Sequence, residues 1–269
     1  MSAILTDLDD QHLTPVIKTN LYDFFRLFEK VPDVETAAAE GLFRWRTMIF
    51  HPWFNGVLTG TPPDQSAGQL VEDTQSYFHS HNVPAFTWWL EPELDSRIWE
   101  APLSAAGFVF EDTTPGMAVA LADLPQHVPH ADGFSIRTVD DLDMLHTWTE
   151  ILIRGSEMPV ELIEPFYTLI SSLGIELPFR HYLGYLDGHP VSSASFFLSS
   201  GVVGIYNIAT MPEARRQGLG AAITLKPLHD ARQLGYRAGI LQSSEMGLHV
   251  YEKLGFRQLC TMDHYSKYT

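Results

Sequence analysis

The sequence predicts a mixed α/β protein built from two domains of similar size, and three observations support this. Runs with strand alternation take turns with runs at helical spacing through the second half of the 269-residue chain. Residues 125–133 carry two prolines and a glycine and interrupt the apolar pattern, so they predict a linker between domains at 1–124 and 134–269. The two halves also end in similar patterns.

The elements of the second half follow in order. Apolar and polar residues alternate at 134–139, which predicts a strand, and Asp140 and Asp141 then supply carboxylates suited to a helix start. The apolar residues that follow at helical spacing are Leu142, Leu145, Trp148 and Leu152. The remaining predictions are a helix at 160–173, a hairpin of strands at 180–186 and 191–198, a strand at 201–210, a helix at 218–234, a strand at 238–242, a helix at 246–254 and strand structure from 256 onward.

The end of the first half repeats the order found at the end of the second. A strand at 86–90 and a helix at 95–106 are followed by a Gly-Phe pair, and a second Gly-Phe pair stands 148 residues later. Residues 53–56 resemble residues 205–208, at a displacement of 152. Two similar displacements predict an internal duplication.

Composition and charge limit the possible partners. The chain has 33 acidic and 17 basic side chains, a formal charge of −16, with −13 in residues 1–133 and −3 in residues 134–269. This balance argues against nucleic acid, which usually binds a concentrated basic face, whereas an acidic surface gathers cations such as amines. Cys260 is the single cysteine and excludes an intramolecular disulfide framework or a CxxC metal motif. With no signal-like start and no apolar run of membrane length, we expect a cytoplasmic protein without membrane partners.

The most informative stretch is 207–222, where an apolar strand ends, a proline turn follows and a basic, glycine-containing segment opens a helix. Gly218 and Gly220 leave backbone N–H groups unshielded, and the helix N-terminus adds its positive dipole end. Such a site accepts a pyrophosphate, although a glycine pair alone is also typical of a tight strand-to-helix turn.

The full pattern Ile208-x-Thr210-x-Pro212-x-x-Arg215-x-x-Gly218-x-Gly220 resembles the acetyl-CoA-binding motif of the GNAT superfamily of N-acetyltransferases. The later segment 250–256 resembles the family's final helix and strand. Together with the duplication, the chain resembles a tandem-GNAT protein with a degenerate N-terminal half. The resemblance implies two GNAT-like domains, each with a mixed, mostly antiparallel sheet flanked by helices, and a central splayed parallel strand pair in the C-terminal domain.

The same resemblance implies the cofactor site. Acetyl-CoA would be the cosubstrate, with its pantetheine arm along the end of the strand at 201–210 and its pyrophosphate cradled by residues 216–221. No metal is expected. The implied cofactor-binding residues are Ile208, Ala209, Thr210, Arg215, Arg216, Gln217, Gly218, Leu219, Gly220, Ala221 and Ser244. Ser244 stands where many relatives have an asparagine.

Tyr251 lies at the family's position for the general acid, and a phenol is a sensible proton donor to a departing thiolate. The alternative is a buried aromatic on a helix face. The usual positions of the general base hold Gly204 and Gly239, which cannot abstract a proton. A water held by Tyr206, Asn207 or Glu245, or an amine that arrives neutral, would replace the base; we assign none.

The sequence thus predicts an N-acetyltransferase that acts on a primary amine, a small molecule or a peptide, with a cationic acceptor favoured by the acidic first half. A non-catalytic CoA-binding sensor or scaffold is the alternative, and transfer of another acyl group is a remoter one. Acceptor identity and oligomeric state stay open. The candidate acceptor contacts, which are equally consistent with ordinary helix and loop surface, are Glu157, Met158, Pro159, Phe166 and Tyr167.

The first half lacks the cofactor chemistry. No Arg-x-x-Gly-x-Gly occurs between Asn55 and Phe86, and Leu103 falls at the tyrosine position. We expect this half to shape the acceptor cleft beside the active half. Trp88 and Trp89 would be either an aromatic wall or, as we favour, packing residues.

Overall fold

The computed structural model describes residues 3–39, 41–60, 66–91 and 96–268. Contacts between Cα atoms divide the chain into two compact units. The C-terminal unit consists of Met1–Asp23 and Gly116–Leu259, and the N-terminal unit consists of Phe24–Pro115 and Cys260–Thr269. The predicted helix start at Asp95 and the stretch 61–65 lie outside the described residues.

The C-terminal unit holds a mixed sheet between helices. Its strands are β6 (Phe134–Thr138), β7 (Phe179–Leu186), β8 (His189–Ser199), β9 (Val202–Thr210) and β10 (Ala238–Gln242), together with the end of β5 (Val109–Ala120). Strands β6 to β9 pair antiparallel, β10 lies parallel to β9, and β5 pairs antiparallel with β10. The helices are residues 10–23 of α1 (Asp10–Arg26), α4 (Leu142–Gly155), α5 (Ile163–Ser171), α6 (Leu219–Gln233) and α7 (Glu245–Lys253).

Strand alternation explains which face each helix covers. Ala194, Phe196 and Leu198 of β8 point into a core with Ile223 and Leu228 of α6. Their neighbours on the opposite face pack under α4, where Trp148 is fully buried. The predicted start of α4 is confirmed, because the Asp141 carboxylate accepts a hydrogen bond of 2.7 Å from the Met144 amide as an N-cap.

The N-terminal unit repeats this order with fewer strands. Strands β1 (Glu35–Ala39), β2 (Leu42–Arg46) and β3 (Gly56–Thr59) pair antiparallel, and β4 (Phe86–Leu90) lies parallel to β3. The end of β11 (Arg257–Lys267) pairs antiparallel with β4, and α2 (Ala67–Ser80) and α3 (Arg97–Ala105) complete the unit. The core contains Phe78, Trp88, Trp99, Leu103 and Phe108.

The predicted duplication is confirmed by the element bounds. Strand β10 begins and ends 152 residues after β4, and helix α7 begins and ends 148 residues after α3. Both helices are followed by a glycine with positive φ, 85° at Gly107 and 94° at Gly255. A left-handed glycine just after a helix is a common C-terminal signal, and here it recurs at matching positions.

The compact units differ from the predicted ranges 1–124 and 134–269 because segments are exchanged. The end of β5, which follows α3, pairs with β10, whereas the end of β11, which follows α7, pairs with β4. The first residues also pack in the C-terminal unit, where the Leu5 amide donates to the Gly201 carbonyl at 3.0 Å.

This exchange changes the distribution of charge. The C-terminal unit carries 11 basic and 19 acidic side chains, the N-terminal unit 6 and 14, so each has a net charge of −8. The contrast between −13 and −3 therefore belongs to the two halves of the sequence and not to the two compact units.

Candidate active site

Strands β9 and β10 pair over only three residues before β9 continues without β10. The parallel ladder joins Gly239 to Val203 and ends where Leu241 meets Ile205, while β9 runs on to Thr210. Its pairing with β8 shifts register between Ser193 and Ser195, opposite the segment that contains Asn207 with φ 55°. Asparagine adopts this left-handed backbone more readily than most residues, so the sequence favours a bulge here. Ile208, Ala209 and Thr210, the predicted partners of the cofactor arm, lie beyond the ladder.

The turn before α6 has the backbone of an anion-binding loop. Arg216 and Gly218 have φ values of 62° and 80°, and Gly218 is the N-cap of α6 without a side-chain cap. Because the first amides of a helix have no intrahelical acceptor, those of Leu219, Gly220 and Ala221 remain available. Successive N–H groups in such a turn form a concave anion site, to which the dipole of α6 adds.

The two glycines of this loop have different physical requirements. A Cβ at Gly218 would overlap the Pro129 carbonyl oxygen and stand 2.9 Å from His130 Cα. The linker is held against the loop here, because the Ala131 amide donates to the Gln217 carbonyl at 2.9 Å. A Cβ at Gly220 would meet only Thr210 Oγ1, at 3.9 Å, so the space in front of Gly220 is open.

The side chains of the predicted cofactor loop are used unequally. Leu219 is 1% exposed and anchors the loop, and Ala221 is partly buried against the core that contains Ile223 and Leu228. Arg216 is exposed, and its guanidinium forms no hydrogen bond or ion pair within the described part of the chain. A bound diphosphate would therefore find open backbone amides, a free cation and the space that Gly220 leaves, and these residues fit the implied group.

Arg215 is engaged by protein acceptors on three sides. Its guanidinium donates to the Thr210 carbonyl at 3.1 Å, the Gly155 carbonyl at 2.8 Å and Glu157 Oε1 at 3.1 Å. A Cβ at Gly155 would stand 3.0 Å from Ala209 Cβ, so the end of α4 packs closely against the end of β9. Arg215 thus ties the end of α4 to the strand that precedes the loop.

Tyr251 lies on α7 with its ring largely buried, and its side chain belongs to the core of the C-terminal unit. Its ring meets Phe256 edge to face at a centroid distance of 5.9 Å. Burial raises the pKa of the Tyr251 phenol, so the hydroxyl stays protonated throughout the neutral range.

Ser244 is exposed and caps α7, because its hydroxyl accepts a hydrogen bond of 3.2 Å from the Gly247 amide. The neighbouring Gln242, missed in the sequence, ends β10 just past the parallel ladder. Its buried Nε2 has no partner among the described groups. Gln242 therefore holds an amide donor at the place where the two parallel strands part.

The two positions expected for a general base are closed by packing. A Cβ at Gly204 would overlap Asn20 Oδ1 of α1, and one at Gly239 would stand 2.5 Å from Leu228 Cδ2. Tyr206, proposed above to hold a water, donates instead to Asn20 Oδ1 at 2.7 Å and is buried. Glu245 is exposed in the first turn of α7.

A buried polar row next to the bulge also escaped the sequence analysis. His181 Nδ1 lies 2.8 Å from Ser195 Oγ, and Asn207 Nδ2 donates to the same Oγ at 3.5 Å. Burial lowers the pKa of His181 to about 3, so the ring is neutral at physiological pH. A histidine in a strand rich in buried residues was the available signal.

Most of the remaining candidates pack within their own unit. Phe166 is 6% exposed and lies against Trp148, whereas Tyr167 contacts His146 at the surface. Trp88 is fully buried, as the packing interpretation predicts, and Trp89 stacks on His264 at 4.7 Å.

Within the described residues, one group of side chains has potential metal-ligating atoms that lie within 4.8 Å of one another. This group is exposed and consists of Asp7, Asp9 and His12. Within the same part of the chain, no helix has the length and apolar character needed to span a membrane.

Comparison with known proteins identifies this architecture. The model of the Acetyltransferase (GNAT) family matches residues 145–256. No curated protein matches the sequence. Among solved structures, a GCN5-related N-acetyltransferase from Kribbella flavida has a TM-score of 0.69 and 18% identity, over 92% of this chain and 95% of that one.

Two further solved structures match nearly the whole chain. A GCN5-related N-acetyltransferase from Sphaerobacter thermophilus has a TM-score of 0.64 and 15% identity, over 100% of this chain and 95% of that one. A tandem GNAT protein from the clavulanic acid biosynthesis pathway has a TM-score of 0.57 and 14% identity, over 99% and 97%. At these identities the likeness concerns the fold, which is that of a tandem GNAT protein.

Proposed function

Because residues 145–256 form a domain of the acetyltransferase (GNAT) family, we propose that the chain is an acetyl-CoA-dependent N-acetyltransferase acting on a primary amine. The observation that carries this proposal is the parting of β9 from β10 next to a helix N-terminus with open amides. Bound acetyl-CoA would supply an acetyl thioester, which an amine nitrogen can attack directly.

The chain's own groups have defined roles in this proposal. The backbone of 206–210 and the Gln242 amide offer hydrogen bonds to the amide groups of the pantetheine arm, and the amides of 216–221 with Arg216 hold the pyrophosphate. Arg215 is a positioning residue, since its guanidinium already has three protein acceptors. Ser244 is a helix cap.

Tyr251 holds the proton that a departing thiolate needs. An ordinary thiol has a pKa of about 8.5, lower than that of a phenol, so full proton transfer from Tyr251 is uphill. We therefore propose that the hydroxyl acts chiefly by donating a hydrogen bond to the charge that develops on sulfur, with transfer completed as the thiol leaves.

The amine must be neutral to attack, and no carboxylate fits at position 204 or 239. We propose that the acceptor loses its ammonium proton to water before attack, and that the second proton, released when the nitrogen becomes an amide, replaces through solvent the proton that Tyr251 gives to sulfur. The rate at low acceptor concentration should then rise tenfold per pH unit up to the acceptor's own pKa. In a series of amines, the pH at which the rate stops rising should follow the pKa of each amine.

Thiol release from acetyl-CoA across a panel of amines tests the proposal. We expect turnover with at least one primary amine, and a loss of roughly 10²-fold in kcat for Tyr251→Phe, the usual scale for a positioned proton donor. Full activity of Tyr251→Phe would remove Tyr251 from the mechanism, and absence of turnover with every amine would reject the activity itself.

A further inference from the structure

We propose that Gly247 is the positioning residue for Tyr251, because the side chain it lacks leaves the space in which the phenol ring lies. The inference rests on the proposed function in one respect, the role of Tyr251 as proton donor. It concerns α7 and its counterpart α3, which the confirmed duplication places in register.

The contact between the two residues is direct. A Cβ at Gly247 would stand 2.7 Å from Tyr251 Cε2 and 3.3 Å from Cζ, the carbon that bears the hydroxyl. It would also lie 3.4 Å from Ser243 Oγ, which belongs to a fully buried residue. Because the ring is itself packed in the core beside Phe256, an added methyl group must displace the phenol.

Glycine is a poor local choice at this point of the sequence. In a helix it is less favourable than alanine by up to about 1 kcal/mol, and α7 has only nine residues. A residue that breaks the local preference is expected where a functional arrangement requires it. Here the requirement is the space above Gly247, which an alanine would fill.

The N-terminal unit supplies an internal comparison. At the displacement of 148 residues, Trp99 stands at the position of Gly247 and Leu103 at that of Tyr251. One hydrogen bond common to both units fixes the register. The Phe108 amide donates to the Leu103 carbonyl, and the Phe256 amide donates to the Tyr251 carbonyl, both at 3.0 Å. Trp99 and Leu103 are both 0% exposed and both belong to the core of the N-terminal unit, so a large side chain is accommodated at the position that glycine holds in the C-terminal unit. The unit without the tyrosine is thus also without the glycine.

Kinetics of four variants test the inference: Gly247→Ala, Tyr251→Phe, their combination, and Gly68→Ala as control. Gly68 also lies in a helix, but a Cβ there meets nothing within 4 Å. We expect Gly247→Ala to lower kcat about tenfold and to leave the KM for acetyl-CoA within twofold, with the control unchanged. The double variant should be no slower than Tyr251→Phe, since both changes act on one hydroxyl.

A measurement without cofactor separates positioning from general damage. In protein labelled with carbon-13 at tyrosine Cζ, the Tyr251 signal is identified by its absence in Tyr251→Phe. Burial raises the pKa of this phenol, so wild type should stay un-ionised at pH 10, whereas displacement of the ring towards solvent in Gly247→Ala should lower the pKa.

Several outcomes would overturn the inference. They are wild-type kcat in Gly247→Ala, an unchanged Cζ titration, or a double variant slower by the product of the two single effects. Loss of cooperative melting in Gly247→Ala would show a folding requirement and reject the positioning role. If instead Tyr251→Phe alone retained full activity, the proposed function of Tyr251 would fail, and the titration would still report whether Gly247 places the ring.

Discussion

Alanine at Gly218 and alanine at Gly220 should have opposite effects on stability, although the two glycines are two residues apart. At Gly218 the backbone has φ 80°, which costs an L-residue about 1–2 kcal/mol. The new Cβ would also overlap the Pro129 carbonyl, and forcing a side chain into packed surroundings costs about 1–3 kcal/mol more. We expect Gly218→Ala to lower the free energy of unfolding by about 2–5 kcal/mol.

Gly220→Ala serves as the matched variant. Its Cβ meets only Thr210 Oγ1 at 3.9 Å, and alanine is favoured over glycine in a helix by up to about 1 kcal/mol. This variant should be as stable as wild type or slightly more stable, yet it should bind acetyl-CoA more weakly because the methyl group occupies the proposed pyrophosphate space. Urea unfolding followed by circular dichroism, with calorimetry for acetyl-CoA, measures both effects. Equal stability of the two variants would refute the different requirements deduced for the two glycines.

Three further changes have defined outcomes. Arg216→Gly removes a left-handed arginine, so it should raise the melting temperature while weakening acetyl-CoA binding in calorimetry; lower stability would contradict the strain at φ 62°. Asn20→Leu removes the hydrogen bonds that Asn20 makes to the buried Tyr206 hydroxyl and to the Ser199 carbonyl, so it should lower the free energy of unfolding in urea by about 1–3 kcal/mol. An unchanged urea midpoint would show that α1 does not support strands β8 and β9. The pKa of His181 is about 3 in the folded protein, against an ordinary value of 6.5, so between these values the unfolded chain binds more protons than the folded one. The free energy of unfolding therefore falls as the pH drops from 6.5 to about 3, by up to about 1.4 kcal/mol per pH unit. His181→Gln should flatten that part of the profile, and an unchanged slope would assign it to other groups.

The sequence predicted the elements with strong local signals. The strand at 238–242 was predicted with its observed ends, and the Asp141 cap and the glycine turn before α6 were readable because each depends on residues a few positions apart. The duplication was also visible, since its displacements of 152 and 148 are those of β10 from β4 and of α7 from α3.

Features that depend on distant pairing were not readable. Local patterns do not reveal which strand β5 or β11 pairs with, so the exchange of segments between the units could not be predicted. The same limit applies to Asn20, whose partners Ser199 and Tyr206 lie more than 170 residues away. Arg215 was predicted from the motif as a cofactor-binding residue, and only the fold reveals the three carbonyl and carboxylate oxygens around its guanidinium.

We propose that the loop of the C-terminal unit binds acetyl-CoA and that the N-terminal unit, with Trp99 and Leu103 in place of Gly247 and Tyr251, does not. Titration calorimetry of the full chain with acetyl-CoA tests it most directly, using wild type and Gly220→Asp, which places a carboxylate in the open space before α6. We expect one acetyl-CoA bound per chain for wild type and no measurable binding for the variant. Two molecules bound per chain, or unchanged affinity in Gly220→Asp, would contradict it.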